Sequence, residues 1–259
     1  MARFPFRSAL VTGASSGIGE EMTRQLAADG VRTVVVARRA DRLEALAAEL
    51  AGVEVLEADL LTSDGLAATI ERIVDRDRRP IDLVVNNAGF GTSGEFHTLE
   101  ADRLGREIDL NIGALTRIAH AALATMIPRR RGWLLNVSSV AGFQPAPKLA
   151  VYAATKAYVT SLSESLHSEA SSAGVNVTAL CPGLTKTEFQ DVSNTEHYQS
   201  RVPDFAWTTV EEVAAAGLDG VAKGRAIVVP GAVYKALVTA GGVTPRWLKR
   251  ALSGVVQRG

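Results

Sequence analysis

The stretch Thr12-Gly13-Ala14-Ser15-Ser16-Gly17-Ile18-Gly19 decides the fold, because it joins a short apolar run at residues 9–12 to a helical pattern at residues 20–29. Glycine allows a sharp turn and a close backbone approach to a ligand, and the N-terminus of the following helix offers free N–H groups and a positive dipole end. The spacing is Gly-x3-Gly-x-Gly rather than Gly-x-Gly-x-x-Gly. The segment predicts a strand-turn-helix unit that binds a pyrophosphate; a tight structural turn without a ligand is the alternative.

Six further aliphatic runs follow, separated by stretches with helical spacing. They lie at residues 33–37, 53–56, 83–85, 133–137, 175–180 and 226–229. Near-continuous apolar strands that alternate with helices are typical of a parallel sheet covered on both faces. The pattern predicts an α/β fold, a Rossmann-type doubly wound parallel sheet of about seven strands with helices on both faces. We expect a single domain over residues 1–259.

Composition excludes several classes of protein. Of 259 residues, 47% are hydrophobic and 22% are charged, which is sufficient for a large core and argues against disorder. The formal net charge is zero, so no global positive field recruits nucleic acid. One cysteine, Cys181, and no apolar run of membrane-spanning length predict a cytoplasmic protein. His97 and His197 lack ligand partners at suitable spacing, so we predict no metal site.

Two arginines follow the second apolar run, in Ala37-Arg38-Arg39, with no carboxylate before Asp41. An acidic residue at this place hydrogen-bonds a ribose 2′-hydroxyl, whereas the planar guanidinium of arginine suits a 2′-phosphate. The pair therefore predicts NADP(H) as the cofactor. Two solvated arginines that open a surface helix are the alternative.

Four further segments carry polar groups suited to chemistry: Asn86-Asn87-Ala88-Gly89, Asn111, Ser138-Ser139 and Tyr152-Ala-Ala-Thr-Lys156. With the glycine turn they resemble the short-chain dehydrogenase/reductase superfamily, in its short single-domain branch. The resemblance covers about residues 8–185, in order and spacing, with Ser139 thirteen residues before Tyr152.

The resemblance implies a role for each catalytic candidate. Tyr152 would transfer a proton to the carbonyl oxygen as hydride arrives from the nicotinamide, and Ser139 would hydrogen-bond that oxygen, with Ser138 as the alternative. Lys156 would hold the nicotinamide ribose, and Asn111 would anchor a water that links Lys156 to solvent. Thr187 would contact the nicotinamide carboxamide or the phosphates, with Thr185 as the alternative. The implied cofactor-binding set is Gly13, Ser15, Ser16, Gly17, Ile18, Gly19, Arg38, Arg39, Asp59, Leu60, Asn87, Ala88, Gly89, Tyr152, Lys156, Pro182, Gly183, Thr185 and Thr187.

Tyr152 and Lys156 are four residues apart, so on a helix they share one face. A free tyrosine has a pKa of about 10, too high for a base near neutrality. The lysine ammonium and the nicotinamide charge favour the phenolate, so we predict a lowered pKa for Tyr152.

The substrate side follows the sixth strand. Residues 184–207 have poor periodicity and contain Phe189, Tyr198 and Phe205, which predicts a lid over an apolar pocket. Residues 91–96 and 142–145 are further pocket candidates. Thr209-Val-Glu-Glu212 predicts a capping box that opens the next helix.

Residues 231–259 predict an amphipathic C-terminal extension, with a helix start at Thr244-Pro245 and Trp247 on its apolar stripe. It could pack on the domain, form a dimer contact, wall the pocket or touch a membrane surface. We expect a homo-oligomer, a dimer through helix faces within residues 111–126 and 152–173.

The function predicted from these features is an NADP(H)-dependent carbonyl reductase or alcohol dehydrogenase acting on a moderately hydrophobic ketone, aldehyde or alcohol. A non-redox lyase or isomerase that uses the bound cofactor is one alternative. A catalytically silent nucleotide-sensing scaffold is the other.

Overall fold

The computed structural model describes residues 3–75, 77–193 and 206–242. In this part of the chain, seven strands form one parallel sheet in the order β3-β2-β1-β4-β5-β6-β7. The order reverses between β1 and β4, which leaves a crevice at the carboxyl ends of these strands. The predicted fold class is confirmed. The strands are β1 Ser8–Thr12, β2 Arg32–Ala37, β3 Val53–Glu57, β4 Leu83–Asn86, β5 Gly132–Val137, β6 Val175–Leu180 and β7 Ile227–Val228.

Helices cover both faces of the sheet. Successive residues of β1 alternate between the two apolar clusters: Val11 packs in one cluster with Met22 and Leu43, and Leu10 packs in the other with Ile118. Burial on both faces explains why the strands are almost continuously apolar. The helices are α1 Gly17–Ala28, α2 Ala40–Glu49, α3 Ser63–Val74, α4 Ala101–Ile108, α5 Leu115–Met126, α6 Ala150–Ser171, α7 Phe189–Val192, α8 Val210–Ala222 and α9 Ala232–Gly242.

The predicted capping box is present at the start of α8. The Thr209 hydroxyl accepts a hydrogen bond from the Glu212 backbone N–H at 3.2 Å, and the Glu212 carboxylate accepts one from the Thr209 backbone N–H at 3.4 Å. Within the predicted lid, residues 189–192 form α7. Residues 194–205 of the lid, with Tyr198 and Phe205, and residues 243–259 of the tail, with Trp247, lie outside the described residues.

A buried polar chain fixes α6 to the sheet. The side-chain amide of Asn86 on β4 donates to the Asn136 side-chain oxygen on β5 at 2.9 Å, and the Asn136 amide donates to the Ser163 hydroxyl on α6 at 3.0 Å. Asn136 and Ser163 have no solvent exposure. Since α6 carries Tyr152 and Lys156, this chain helps to place both over the end of β5.

Replacing Asn136 with Ala should lower the free energy of unfolding by about 2 kcal/mol, because it removes two buried hydrogen bonds, the one from Asn86 and the one to Ser163. Urea unfolding followed by circular dichroism measures this change. Ser161→Ala, at an exposed position of the same helix, is the control and should stay within about 0.5 kcal/mol of the parent. Equal midpoints for the two variants would contradict the role of the chain.

Candidate active site

A cavity of about 850 Å³ opens along the carboxyl ends of the strands. The structure brings most of the predicted site residues to its walls. Gly19 and Asn111 do not line the cavity; both are buried behind it. The predicted residues that line it are Gly13, Ser15, Ser16, Gly17, Ile18, Arg38, Arg39, Asp59, Leu60, Asn87, Ala88, Gly89, Ser139, Tyr152, Lys156, Pro182, Gly183, Thr185 and Thr187.

The spacing of two glycines in the turn follows from how Asn87 packs between them. The Asn87 amide donates to the Thr12 carbonyl at 2.9 Å and to the Gly13 carbonyl at 3.2 Å. A Cβ atom at Gly19 would lie 2.5 Å from the Asn87 amide nitrogen, and one at Gly13 would lie 2.8 Å from it. Gly13 also has a φ of +67°, which L side chains rarely adopt. The glycines therefore let the ends of β1 and β4 meet closely.

The N-terminus of α1 faces the cavity with donors available for an anion. Its N-cap residue, Ser16, makes no side-chain hydrogen bond to the first helical turn. Gly17 has a φ of +57°, and a Cβ atom there would lie 3.2 Å from Thr187 Cγ2. A helix N-terminus left without a capping side chain suits a phosphate group. The residues present therefore fit the pyrophosphate of a dinucleotide.

The two arginines after β2 have different surroundings. Arg38 is exposed and lines the cavity. Arg39 lies against the glycine turn, where its guanidinium donates to the Ser15 hydroxyl at 2.9 and 3.1 Å and to the Ser16 hydroxyl at 2.8 Å. It also donates to the Glu188 carboxylate at 2.9 Å. Glu188 was missed by the sequence analysis, because it lies 149 positions from Arg39 in the chain.

Tyr152 is buried near the start of α6, beside Ser139. Burial raises the pKa of Tyr152 to about 12, a hydrogen bond with the Ser139 hydroxyl acts in the opposite direction, and the negative charge of Glu107 raises it further. The predicted lowering of this pKa is therefore wrong for the protein by itself. The sequence pattern indicates the nearby ammonium but does not reveal how completely the phenol is removed from water.

The two candidate serines differ in what their hydroxyls contact. Ser138 is buried, donates to the Lys156 carbonyl at 2.8 Å and lies 2.8 Å from the Thr160 hydroxyl. Ser139 instead accepts from the Ala141 backbone N–H at 3.1 Å, donates to the Pro182 carbonyl at 3.5 Å and lies beside Tyr152, whose pKa it lowers. Of the two serines, Ser139 is therefore the one beside Tyr152, whereas the Ser138 hydroxyl is bound to α6.

Lys156 is buried one turn after Tyr152. Its ammonium donates to the Val137 carbonyl at 2.8 Å and lies 5.7 Å from the centre of the Tyr152 ring. Burial lowers the pKa of Lys156 to about 8. A lysine of this pKa exchanges its proton near neutral pH, as a relay group must.

Asn111 lies in a π-helical turn, Asp109–Ala114, between α4 and α5. Its amide donates to the Phe90 carbonyl at 2.8 Å and to the Thr155 hydroxyl at 3.1 Å, and its oxygen accepts from the Phe90 N–H at 3.2 Å. A Cβ atom at Gly89 would lie 2.7 Å from the Asn111 oxygen and 3.7 Å from the Lys156 ammonium. Asn111 therefore holds the backbone after β4 beside Lys156. π-Helical turns of this kind often mark functional sites.

The predicted lid contributes an aromatic wall. The Phe189 ring lies 5.3 Å from the Tyr152 ring, between centres, and lines the cavity. The predicted pocket segments fit in part: Gln144 of residues 142–145 lines the cavity, whereas none of residues 91–96 does. Further wall residues are Phe90, Ala146, Leu149 and Leu184.

Thr185 and Thr187, the two candidates for one cofactor contact, have different surroundings. The Thr185 hydroxyl is buried and lies 3.1 Å from the Thr208 hydroxyl. Thr187 instead approaches the glycine turn at Gly17. The geometry favours Thr187 as the residue near the phosphates.

A second residue that the sequence analysis missed is Glu107, whose side chain has no solvent exposure. Burial raises its pKa, and the nearby Thr92 hydroxyl and the charges of Arg103 and Lys156 act in the opposite direction. The sequence could have indicated Glu107. It precedes Asn111 by four residues in a helical pattern, and residues at that spacing lie on the same face of a helix.

None of the helices within residues 3–75, 77–193 and 206–242 combines the length and hydropathy needed to cross a bilayer. Over the same ranges, the His, Cys, Asp and Glu side chains form no group of three that could hold a metal ion. Cys181 is buried at the end of β6, and burial raises the pKa of its thiol to about 11.

A parallel sheet with a glycine turn at its switch point and a buried Tyr-Lys pair beside it defines a class of nucleotide-dependent oxidoreductases. Residues 7–197 match the family model described as short chain dehydrogenase. The chain therefore belongs to the short-chain dehydrogenase family.

Similar proteins agree with this membership. The chain is 40% identical over 200 residues to an uncharacterized oxidoreductase from Myxococcus xanthus, covering 75% of this chain and 78% of the relative. A short-chain dehydrogenase from Sphingobium yanoikuyae, solved in complex with NADPH, is 36% identical with a TM-score of 0.81 over 90% of this chain and 92% of that one. A bulky-bulky ketone specific alcohol dehydrogenase from Comamonas testosteroni is 32% identical with a TM-score of 0.78, covering 90% and 91%.

Replacing Glu107 with Gln should change how stability depends on pH. The pKa of Glu107 is raised in the folded chain, so this residue favours folding below its unfolded pKa, and that contribution is lost as pH rises through the folded pKa. The stability advantage of Glu107→Gln over the parent should therefore grow as pH rises above the usual titration range of a glutamate. Urea unfolding at several pH values measures it. Exposed Glu71→Gln is the control; the same pH slope in both variants would contradict the burial effect.

Proposed function

We propose that the protein is an NADP(H)-dependent carbonyl reductase or alcohol dehydrogenase that acts on a moderately hydrophobic ketone, aldehyde or alcohol. The observation that carries the proposal is the buried Tyr152 with Ser139 and Lys156 beside it, in a cavity that continues to the glycine turn. The same cavity offers an anion site at one end and an acid at the other, as hydride transfer to a carbonyl requires.

Within this proposal, the bound nicotinamide supplies or accepts the hydride at the substrate carbon. The Ser139 and Tyr152 hydroxyls hydrogen-bond the substrate oxygen, and in the reduction Tyr152 gives its proton to that oxygen. With a pKa raised to about 12 in the protein by itself, the phenol is protonated near neutral pH and ready to donate. Lys156, with its pKa near 8, would return a proton to Tyr152 and regain one from solvent. Asn111, which holds the backbone at Phe90 beside Lys156, would anchor the water that links Lys156 to solvent.

The preference for NADP(H) is supported by charge at the end of β2. Arg38 is exposed at the cavity wall and Arg39 is fixed on the glycine turn. Guanidinium groups bind phosphate oxygens through paired hydrogen bonds. The Sphingobium relative was solved with NADPH, which supports the same choice. Asp59 and Leu60 after β3 are proposed to contact the adenine.

The substrate class is inferred from the wall around Tyr152. Phe189, Phe90 and Leu149 give this end of the cavity an apolar lining. The Comamonas relative is specific for bulky-bulky ketones, which fits a wide apolar pocket. A lyase or isomerase is the second candidate class, and net consumption of NADPH with a carbonyl substrate separates the two.

Two further features of the protein are proposals. We propose a homodimer that uses helix faces within residues 111–126 and 152–173, on α5 and α6. Cytoplasmic location is proposed from the composition, with Cys181 as its one cysteine.

Replacing Tyr152 with Phe should lower kcat/KM by about a thousandfold and leave NADPH binding intact, because it removes the proton donor and little volume. Consumption of NADPH with a panel of ketones and aldehydes of graded size measures the rate, and NADPH fluorescence measures binding. Tyr158→Phe, an exposed tyrosine of the same helix, is the matched control. Turnover at the parent rate in Tyr152→Phe would remove this residue from the mechanism, and no NADPH consumption with any carbonyl would favour the lyase or isomerase.

Replacing Arg38 with Asp should weaken NADPH about tenfold or more, because a guanidinium contact to phosphate is replaced by a repelling carboxylate. NADH serves as the internal control, since it lacks the 2′-phosphate, and its affinity should change far less. Titration of both cofactors by calorimetry gives the two dissociation constants. An equal loss for NADPH and NADH would refute the assignment.

A further inference from the structure

The carboxylate of Glu188 bridges two arginines at the mouth of the cavity. One Glu188 oxygen accepts from Arg39 Nη1 at 2.9 Å, and the other accepts from Arg42 Nη1 at 2.6 Å. The Glu188 side chain is 41% exposed, so it lies at the rim rather than in the interior. The hydrogen bonds from Arg42 and Arg39 lower the pKa of Glu188 to about 2, so it stays ionised at neutral pH.

Arg39 also forms hydrogen bonds to the glycine turn. Its Nε and Nη2 atoms donate to the hydroxyls of Ser15 and Ser16 in the glycine turn. The guanidinium is therefore held at the cavity wall in a fixed orientation. The remaining nitrogen, Nη1, donates to Glu188.

Glu188 also lies next to the segment that covers Tyr152. Its neighbour Phe189 packs on the Tyr152 ring, with centres 5.3 Å apart. The following residue, Gln190, donates to the Thr185 carbonyl at 2.8 Å and accepts from the Thr187 N–H at 3.0 Å. The ion pairs with Arg39 and Arg42 thus tie this covering segment to the end of β2.

We propose that Glu188 is a specificity-determining residue, an internal anion that competes with the 2′-phosphate of the cofactor for Arg39. The inference rests on the proposed NADP(H) preference. A 2′-phosphate that reaches Arg39 must displace the carboxylate or share the guanidinium with it, and the two negative charges repel. Glu188 therefore weakens binding of the phosphorylated cofactor and leaves an unphosphorylated one almost unaffected.

The test uses adenosine 2′,5′-bisphosphate and adenosine 5′-monophosphate, which differ in the 2′-phosphate and need no turnover. Calorimetry on the full chain compares the parent, Glu188→Gln and Glu44→Gln, the last an exposed glutamate on α2 that removes the same charge. Glu188→Gln should bind the bisphosphate about fivefold more tightly at low salt, with the monophosphate unchanged. The gain should shrink with added salt. Glu44→Gln should bind both probes as the parent does.

A variant pair identifies the arginine through which the effect acts. In an Arg39→Met background, Glu188→Gln should bring little gain, because the contested guanidinium group is gone. Unchanged or weaker bisphosphate binding by Glu188→Gln, in a parent that prefers the bisphosphate, overturns the inference and leaves the NADP(H) proposal standing. Equal binding of the two probes by the parent and by Glu188→Gln alike overturns the NADP(H) proposal itself and the inference with it.

Discussion

The ammonium group of Lys156 is buried, and its hydrogen bond to the Val137 carbonyl fixes α6 over the carboxyl end of β5. A buried cation must keep such a partner, because an unpaired one costs several kcal/mol. The constraint places Tyr152, one helical turn earlier, at the Ser139 hydroxyl. The buried chain from Asn86 through Asn136 to α6 supports the same alignment from within the sheet. The candidate chemistry thus depends on how one helix is docked on one strand end.

Burial gives this site an unusual balance of acidities. In the protein by itself, the pKa of Tyr152 is raised to about 12 and that of Lys156 is lowered to about 8, and both shifts have loss of water as their largest cause. A protonated phenol beside a lysine that titrates near neutrality suits proton delivery to a developing alkoxide. The reverse reaction needs the phenolate, which a positive charge next to Tyr152 favours. The direction of proton flow is therefore sensitive to what occupies the cavity.

The sequence predicted most of the fold, because each strand of a sheet buried on both faces is a short apolar run. Residues such as Val11 and Val35 are fully buried in the core. Strand ends shifted by one residue, as at Ala226 and Val229, since backbone pairing decides them rather than hydropathy. The glycine turn and the Tyr152–Lys156 spacing were visible because both are local. The role of Glu188 was not visible, since its partner Arg39 is distant in the chain. The raised pKa of Tyr152 was not visible either, because it depends on tertiary burial that no local pattern encodes.

In the proposed mechanism, Tyr152 is a buried acid whose pKa responds to the positive charge of an oxidised nicotinamide. The most direct measurement is the tyrosinate absorbance as a function of pH, with and without NADP⁺, taken as the difference between the parent and Tyr152→Phe so that one of the four tyrosines is isolated. Without NADP⁺ the phenol should ionise only at a pH near 12, and with NADP⁺ at a clearly lower pH. Identical midpoints in the two titrations would contradict the proposed proton transfer.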